Sequence, residues 1–232
     1  MKGHAMLRMT GLSKAYRTDT LETTALDAVD LDIAAGEFVA VMGPSGCGKS
    51  TLLNIMGMLD SPTSGSYRFG DKEVAGLSEA ALADTRKRHL GFIFQSFNLV
   101  DELSVRENVE LALLYHDMPA AVRREKVERV LDKVGIAHRA KHRPAQLSGG
   151  QQQRVAVARA LASQPAVVFA DEPTGNLDSR TSAEVMELLR RSVDEFGQTI
   201  VMVTHDARAA AYADRLIELE DGLIVRDGAP VA

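Results

Sequence analysis

Apolar residues follow two rhythms along this chain, and the changes of rhythm predict its elements. Val29, Leu31 and Ile33 alternate with Asp30 and Asp32, the period of two that marks a strand with one buried face. Residues 6–39 read as strands and turns of this kind, with Ala34-Ala35-Gly36-Glu37 turning into the next element. Two further runs, 38–42 and 166–170, are apolar without alternation, and 199–203, apolar after Thr199, reads as another buried strand. Such continuity predicts strands covered on both faces, as in a parallel sheet. Residues 67–69 and 91–94 add two shorter strands, the first after the loop Ser61-Pro62-Thr63-Ser64-Gly65.

Elsewhere the period lengthens to that of a helix. Val127, Val130, Leu131 and Val134 share one face, while Arg123, Arg124, Glu125, Glu128 and Arg129 form a solvated, mixed-sign remainder. The pattern predicts helices over 52–58, 80–88 and 179–195. It also predicts a mainly helical stretch over 104–162, with one helix starting near Gln151. Near the end, apolar residues 216–219 and 223–225 flank Asp221-Gly222, a hairpin signal. Strands alternating with helices give an α/β sandwich. No repeat, low-complexity segment or linker divides the chain, so residues 1–232 read as one domain.

One stretch carries chemistry by itself. Gly43-Pro44-Ser45-Gly46-Cys47-Gly48-Lys49-Ser50-Thr51 has the spacing G-x-x-x-x-G-K-S between a predicted strand and a predicted helix. Its glycines let backbone N–H groups turn toward a polyphosphate, and the following helix N-terminus adds positive potential. Lys49 would reach the β- and γ-phosphates and the Ser50 hydroxyl would bind Mg²⁺. This predicts a nucleoside triphosphate site.

Composition narrows the partners. With 45% hydrophobic residues and a mean hydropathy of −0.09 the chain suits a soluble globular domain. The formal net charge of −5 disfavours a nucleic-acid partner. No apolar run approaches the ~18 residues of a membrane span. Residues 1–6 lack the apolar core of a secretory leader, so a cytoplasmic location is expected. The single cysteine, Cys47, excludes an internal disulfide. It reads as small filler in a free position of the phosphate loop, or else as a thiol whose modification would block nucleotide.

Parallel sheets gather ligands at the C-terminal ends of their strands. Gln95, Asp171-Glu172 and His205 each follow a predicted strand, so all should converge on the phosphate loop. Asp171 would be a second anchor for Mg²⁺, Glu172 a base for the attacking water, and His205 a γ-phosphate contact. Tyr16, taken alone, reads as a packing residue. Leu147-Ser148-Gly149-Gly150-Gln151 offers N–H groups, a hydroxyl and a helix start, which together suit a second anion. One loop already cradles a nucleotide, so a second cradle makes sense if it serves a neighbouring copy packed head to tail.

With these residues in order, the chain resembles the ATPase subunits of ABC transporters over nearly its whole length. That family has an α/β core, an N-terminal antiparallel β subdomain and a helical subdomain, here about 97–162. The resemblance implies that Tyr16 stacks on adenine and that 43–51 bind ATP. It makes Gln95 a sensor of Mg²⁺ and γ-phosphate, Asp171 a metal ligand, and Glu172 the catalytic base. It makes Ser148, Gly149, Gly150 and Gln151 the signature motif, Asp178 a residue reaching across the dimer, and His205 the switch histidine. Gly175-Asn176 and Phe94-Gln95-Ser96-Phe97-Asn98-Leu99 are similar to the macrolide-exporter and lipoprotein-release branch. The expected protein is a motor subunit, peripheral on the inner membrane face, that hydrolyses ATP and drives a separate integral membrane permease through a contact near 97–105. A regulator without cargo is the competing expectation. A nucleic-acid ATPase of the same family would carry long coiled coils or two ATPase halves, and this chain has neither.

Overall fold

The computed structural model describes residues 5–17 and 22–230. Residues 1–4 of the segment considered above as a leader lie outside the described residues. In chain order the elements are β1 (Ala5–Arg17), β2 (Glu22–Ala34), β3 (Phe38–Met42), α1 (Lys49–Met56), β4 (Ser64–Phe69), β5 (Lys72–Glu73), α2 (Glu79–His89) and β6 (Leu90–Phe94). Next come α3 (Val105–Glu110), α4 (Ala120–Lys133), α5 (Gly149–Leu161), β7 (Val167–Asp171), α6 (Ser179–Phe196), β8 (Thr199–Val203), α7 (Ala207–Ala210), β9 (Arg215–Glu220) and β10 (Leu223–Gly228).

Two sheets result. The continuous apolar runs become the middle of a six-stranded sheet ordered β10-β9-β3-β8-β7-β6, parallel throughout except for the β9–β10 hairpin. The alternating segment becomes a four-stranded antiparallel sheet ordered β2-β1-β4-β5. In β2, Val29, Leu31 and Ile33 are buried and Asp30 and Asp32 exposed, as the period of two requires.

The central strands send alternate side chains to two cores. Phe38, Ala40, Val168, Ala170, Ile200 and Met202 pack with α3 to α7. Val39, Val41, Val167, Phe169, Val201 and Val203 pack with α1 and the antiparallel sheet. The sheet is thus sealed on both faces and only its edges can receive a ligand.

Three expectations need correction. The helix expected near Gln151 begins at Gly149, because Ser148 caps it and the two glycines form its first turn. The stretch 104–162 is less helical than its periodicity suggested: α3 has six residues, and 3₁₀ turns at Leu111–Leu113, Ala137–Arg139 and Pro144–Gln146 break it up. The helix expected to open at Leu52 starts at Lys49, inside the phosphate loop.

Candidate active site

The phosphate loop leaves β3 and enters α1 through Gly48, held at φ +104. Its shape is dictated by backbone packing. A side chain at Gly43 would stand 2.0 Å from the Leu219 carbonyl oxygen, and one at Gly48 would stand 2.3 Å from that of Ala25. Only glycine fits either position. The hairpin turn between β9 and β10 clamps the loop from outside: the Gly222 N–H donates to the Cys47 carbonyl (3.0 Å) and the Gly222 carbonyl accepts from Asp27 (3.0 Å).

Lys49 lies across its own loop. Its ammonium donates to the carbonyls of Gly43 (2.8 Å) and Pro44 (2.6 Å), with Cys47 Sγ at 3.8 Å. Pro44, Ser45, Gly46 and Ser50 are exposed, while Gly48 and Thr51 are half-buried. Cys47 is buried in the core beneath the loop, which favours its reading as filler.

The strand-end residues converge as expected. Asp171 closes β7 beside Phe94 of β6 and Val203 of β8. Burial pushes its carboxyl up, the neighbouring Glu172 charge adds to that, and Lys49 opposes both. Lys49 and Asp171 therefore sense each other across the site. Glu172 turns away from its neighbour through a left-handed backbone, φ +46, uncommon for a residue with a side chain. Its N–H donates to the Val203 carbonyl (2.9 Å), and its Oε1 lies 2.8 Å from Nδ1 of the exposed His205. A carboxylate and an imidazole thus meet at one strand edge, where either could move a proton.

Gln95 follows β6, and its carbonyl accepts from Asn176 Nδ2 (2.9 Å). Its side-chain amide lies against Gly175, where a Cβ would come within 2.6 Å. Ser50, Asp171 and Gln95 offer hydroxyl, carboxylate and amide oxygens, the hard donors that suit Mg²⁺. Among the described residues no cluster of three or more His, Cys, Asp or Glu could hold a metal unaided. The donor set therefore fits an ion that completes its shell with phosphate oxygens and water.

Two predicted groups stand apart. Ser148 Oγ accepts from the Gln151 N–H (3.4 Å) while the Ser148 N–H donates to Gln151 Oε1 (3.1 Å), a capping box at the start of α5. Asp178 caps α6. It accepts from the N–H groups of Thr181 (3.0 Å) and Arg180 (3.1 Å) and from the Thr181 hydroxyl (2.7 Å), and these bonds hold its carboxyl below the usual range. Among the described residues no hydrogen bond or ion pair joins 147–151 to 43–51. Within one chain, then, the two glycine-rich turns are not tied together.

Tyr16 is the last residue but one of β1 and is 44% exposed, which argues against a core role. Its hydroxyl donates to Asp60 Oδ2 (2.9 Å), and Lys14 Nζ bonds Asp60 Oδ1 (2.6 Å) from 4.8 Å above the ring. Burial raises the Asp60 carboxyl, but the bonds from Lys14, Tyr16 and the Ser61 N–H outweigh it and hold it low. Sequence reading missed Asp60, and also two residues of α5. Arg159 bonds the carbonyls of Phe97 (2.8 Å) and Asn98, both left-handed, just after Gln95. The fully buried Gln153 donates to the Pro173 carbonyl (2.5 Å) beside Glu172, and its Oε1 has no partner among the described residues. A buried glutamine in a helix of small apolar residues was the available signal.

The family model described as ABC transporter matches residues 26–175. The chain belongs to the ABC transporter family. It is 49% identical over 228 residues, 98% of its length, to the macrolide export ATP-binding/permease protein MacB of Azoarcus sp. strain BH72. It is 50% identical over 211 residues, 91% of its length, to the pyoverdine export ATP-binding/permease protein PvdT of Pseudomonas fluorescens strain Pf0-1. It spans about a third of those relatives, 35% and 32% of their lengths. Among solved structures, the ATP-binding cassette MJ0796, a dimer in a post-hydrolysis state with ADP and Pi, superposes with a TM-score of 0.88 at 42% identity. That match covers 98% of this chain and 100% of the other. The two-sheet architecture with a helical segment is therefore that of an ABC cassette.

Proposed function

We propose that residues 1–232 form one ABC ATPase domain that binds Mg²⁺-ATP, closes as a head-to-tail dimer, and hydrolyses ATP to drive a membrane permease. The observation that carries this reading is the convergence of Lys49, Gln95, Asp171, Glu172 and His205 at one edge of the parallel sheet. The N–H groups of residues 43–51 wrap the phosphates, and Lys49 exchanges its carbonyl partners for phosphate oxygens. Ser50, Gln95 and Asp171 hold Mg²⁺, which screens the phosphate charge. Glu172, oriented by His205, accepts the proton of the attacking water, and His205 contacts the γ-phosphate. Tyr16, fixed by Asp60, stacks on adenine.

The exposed Ser148 turn, with Gly149, Gly150 and Gln151, completes the site of the second copy, and Asp178 approaches it across the interface. The dimeric state of the MJ0796 cassette supports this arrangement. The printed names of the relatives, each an ATP-binding/permease protein for export, support a membrane permease as partner and export as its direction. No described helix is long and apolar enough to cross a membrane. The working position is the cytoplasmic face of the membrane.

Glu172→Gln tests the reading. General-base catalysis contributes about 10²–10⁴-fold, so phosphate release should fall by that much while ATP binding persists. Size-exclusion chromatography with light scattering should find the variant held as a dimer by ATP. Wild-type turnover in this variant would remove Glu172 from its role.

A further inference from the structure

A second cavity opens at the opposite end of the sheet from Lys49. It has a volume of about 580 Å³ and lies between α4, the C-terminal half of α6, and the segments that lead into β7 and β8. The phosphate loop leaves the other end of β3, which runs parallel to β8, so the strand length separates the two sites. Five residues of strand make that roughly 16 Å.

Its walls are apolar: Val130 from α4 and Val134 just after it, Leu161 from α5, and Leu188 and Phe196 from α6. Phe196 remains 57% exposed at the mouth. The rim is basic. Lys126, Arg129, Lys133 and Arg191 line it against one carboxylate, Glu195, in a chain whose formal net charge is −5.

These cations are poorly matched. Among the described residues only Arg129 has a carboxylate within reach, Glu125 at 2.6 Å. Lys126 bonds the neutral Gln164 amide (3.2 Å), and Lys133 Nζ rests 3.8 Å from the centre of the Phe196 ring. Arg191 has no hydrogen-bond or ion-pair partner among the described residues. Its neighbour Arg190 shows the contrast, bonding Asp194 (2.7 Å) and Asp214 (2.9 Å). Unpaired positive charge over an apolar floor complements a molecule that is apolar along its body and anionic at one end. The volume lies in the range of about 300–1,000 Å³ usual for small-molecule sites.

We propose that this cleft is a binding site for an amphipathic anion, its acid group between Lys126, Lys133 and Arg191 and its apolar body against Val130, Leu161 and Phe196. Such a ligand bridges α4, in the helical segment, to α6, whose other end is capped by Asp178.

Two probes that share a skeleton test this on the full chain. 8-Anilinonaphthalene-1-sulfonate carries a sulfonate that N-phenyl-1-naphthylamine lacks. Fluorescence titration should give saturable, equimolar binding of the sulfonate, about tenfold tighter than the uncharged probe, as one hydrogen bond to a charged group would give. Lys133→Gln with Arg191→Gln should remove that advantage and leave the uncharged probe's affinity unchanged. Phe196→Ser should weaken both probes. Unchanged ATP affinity and thermal midpoint in these variants would confirm that the rest of the fold is intact. Equal affinity for the two probes, displacement of the sulfonate by saturating ATP, or retention of its advantage in the double variant would overturn the proposal.

Discussion

The two glycine-rich turns of this cassette use the same residue for different reasons. In the phosphate loop, Gly43 is jammed against backbone: a Cβ there meets the Leu219 carbonyl at 2.0 Å, at φ +152. In the Ser148 turn, Gly150 sits in the first turn of α5, and the three atoms nearest its Cβ would all belong to the Thr181 side chain, Cγ2 at 2.1 Å. The loop is also satisfied from within, since Lys49 bonds its own carbonyls and Gly222 clamps Cys47. The other turn spends its side chains on capping α5 and leaves Ser148 exposed. A turn wedged into the sheet is a finished cradle. In the proposed dimer, the exposed, capped turn is the half that meets its ligand through the second copy.

Substituting the two glycines should therefore separate folding from function. Gly43→Ala forces backbone apart and demands a left-handed residue, so it should cost more than about 4 kcal/mol and prevent accumulation of folded protein. Gly150→Ala can be relieved by rotating Thr181, and should fold with a loss near 1 kcal/mol, read from urea unfolding. Its ATP turnover should nonetheless drop, because Thr181 also bonds Asp178 at 2.7 Å. A well-folded Gly43→Ala protein would mean that the two turns do not differ in this way.

How legible all this was depends on the range of the interaction. The central strands announced themselves because four or five apolar residues in a row leave few other homes, and the strand-end rule then located Gln95, Asp171, Glu172 and His205. Local chemistry misled where two signals competed. Glycines at 149 and 150 are poor helix formers and hid a start that Ser148 and Gln151 fix by a reciprocal cap. Contacts between distant segments left no trace. Nothing near Tyr16 points to Asp60, nothing near Phe97 points to Arg159, and the Asp221-Gly222 hairpin gives no hint that it grips the phosphate loop. Nor does sequence show that Glu172 takes a left-handed backbone, which the Val203 and His205 contacts hold in place.

If the second turn serves a second copy, the two halves of a site can be repaired in trans. Lys49→Ala disables the phosphate loop and Ser148→Arg disables the capped turn, so each variant alone should be inactive. Mixed in equal amounts, half of the dimers pair one of each, and in those one of two sites draws both intact halves. Two-fold symmetry then predicts recovery of roughly a quarter of the wild-type turnover. Recovery should rise with protein concentration. A mixture as inactive as its components would place both halves of the site in one chain and break the contrast.

The smallest effect sharpens the contrast most, because it has opposite signs on the two sides. Asp171 has a raised folded pKa, from burial first and Glu172 second, with Lys49 opposing. Between its unfolded and folded values the native state binds more protons than the unfolded one, so stability falls as pH rises through the carboxylate range. Above the raised folded value the whole cost is present. Asp171→Asn should remove it, raising the thermal midpoint of the metal-free chain, an advantage that fades as pH falls below the carboxylate range. Mg²⁺-dependent ATP binding should weaken at the same time. Ser148→Ala should instead lower stability by about 1 kcal/mol at every pH, through loss of the cap. The phosphate-loop side would then be held in a strained, charged state that a metal relieves, while the capped turn would be at rest until its partner arrives. Equal signs in the two melting experiments would show that the sides are built alike.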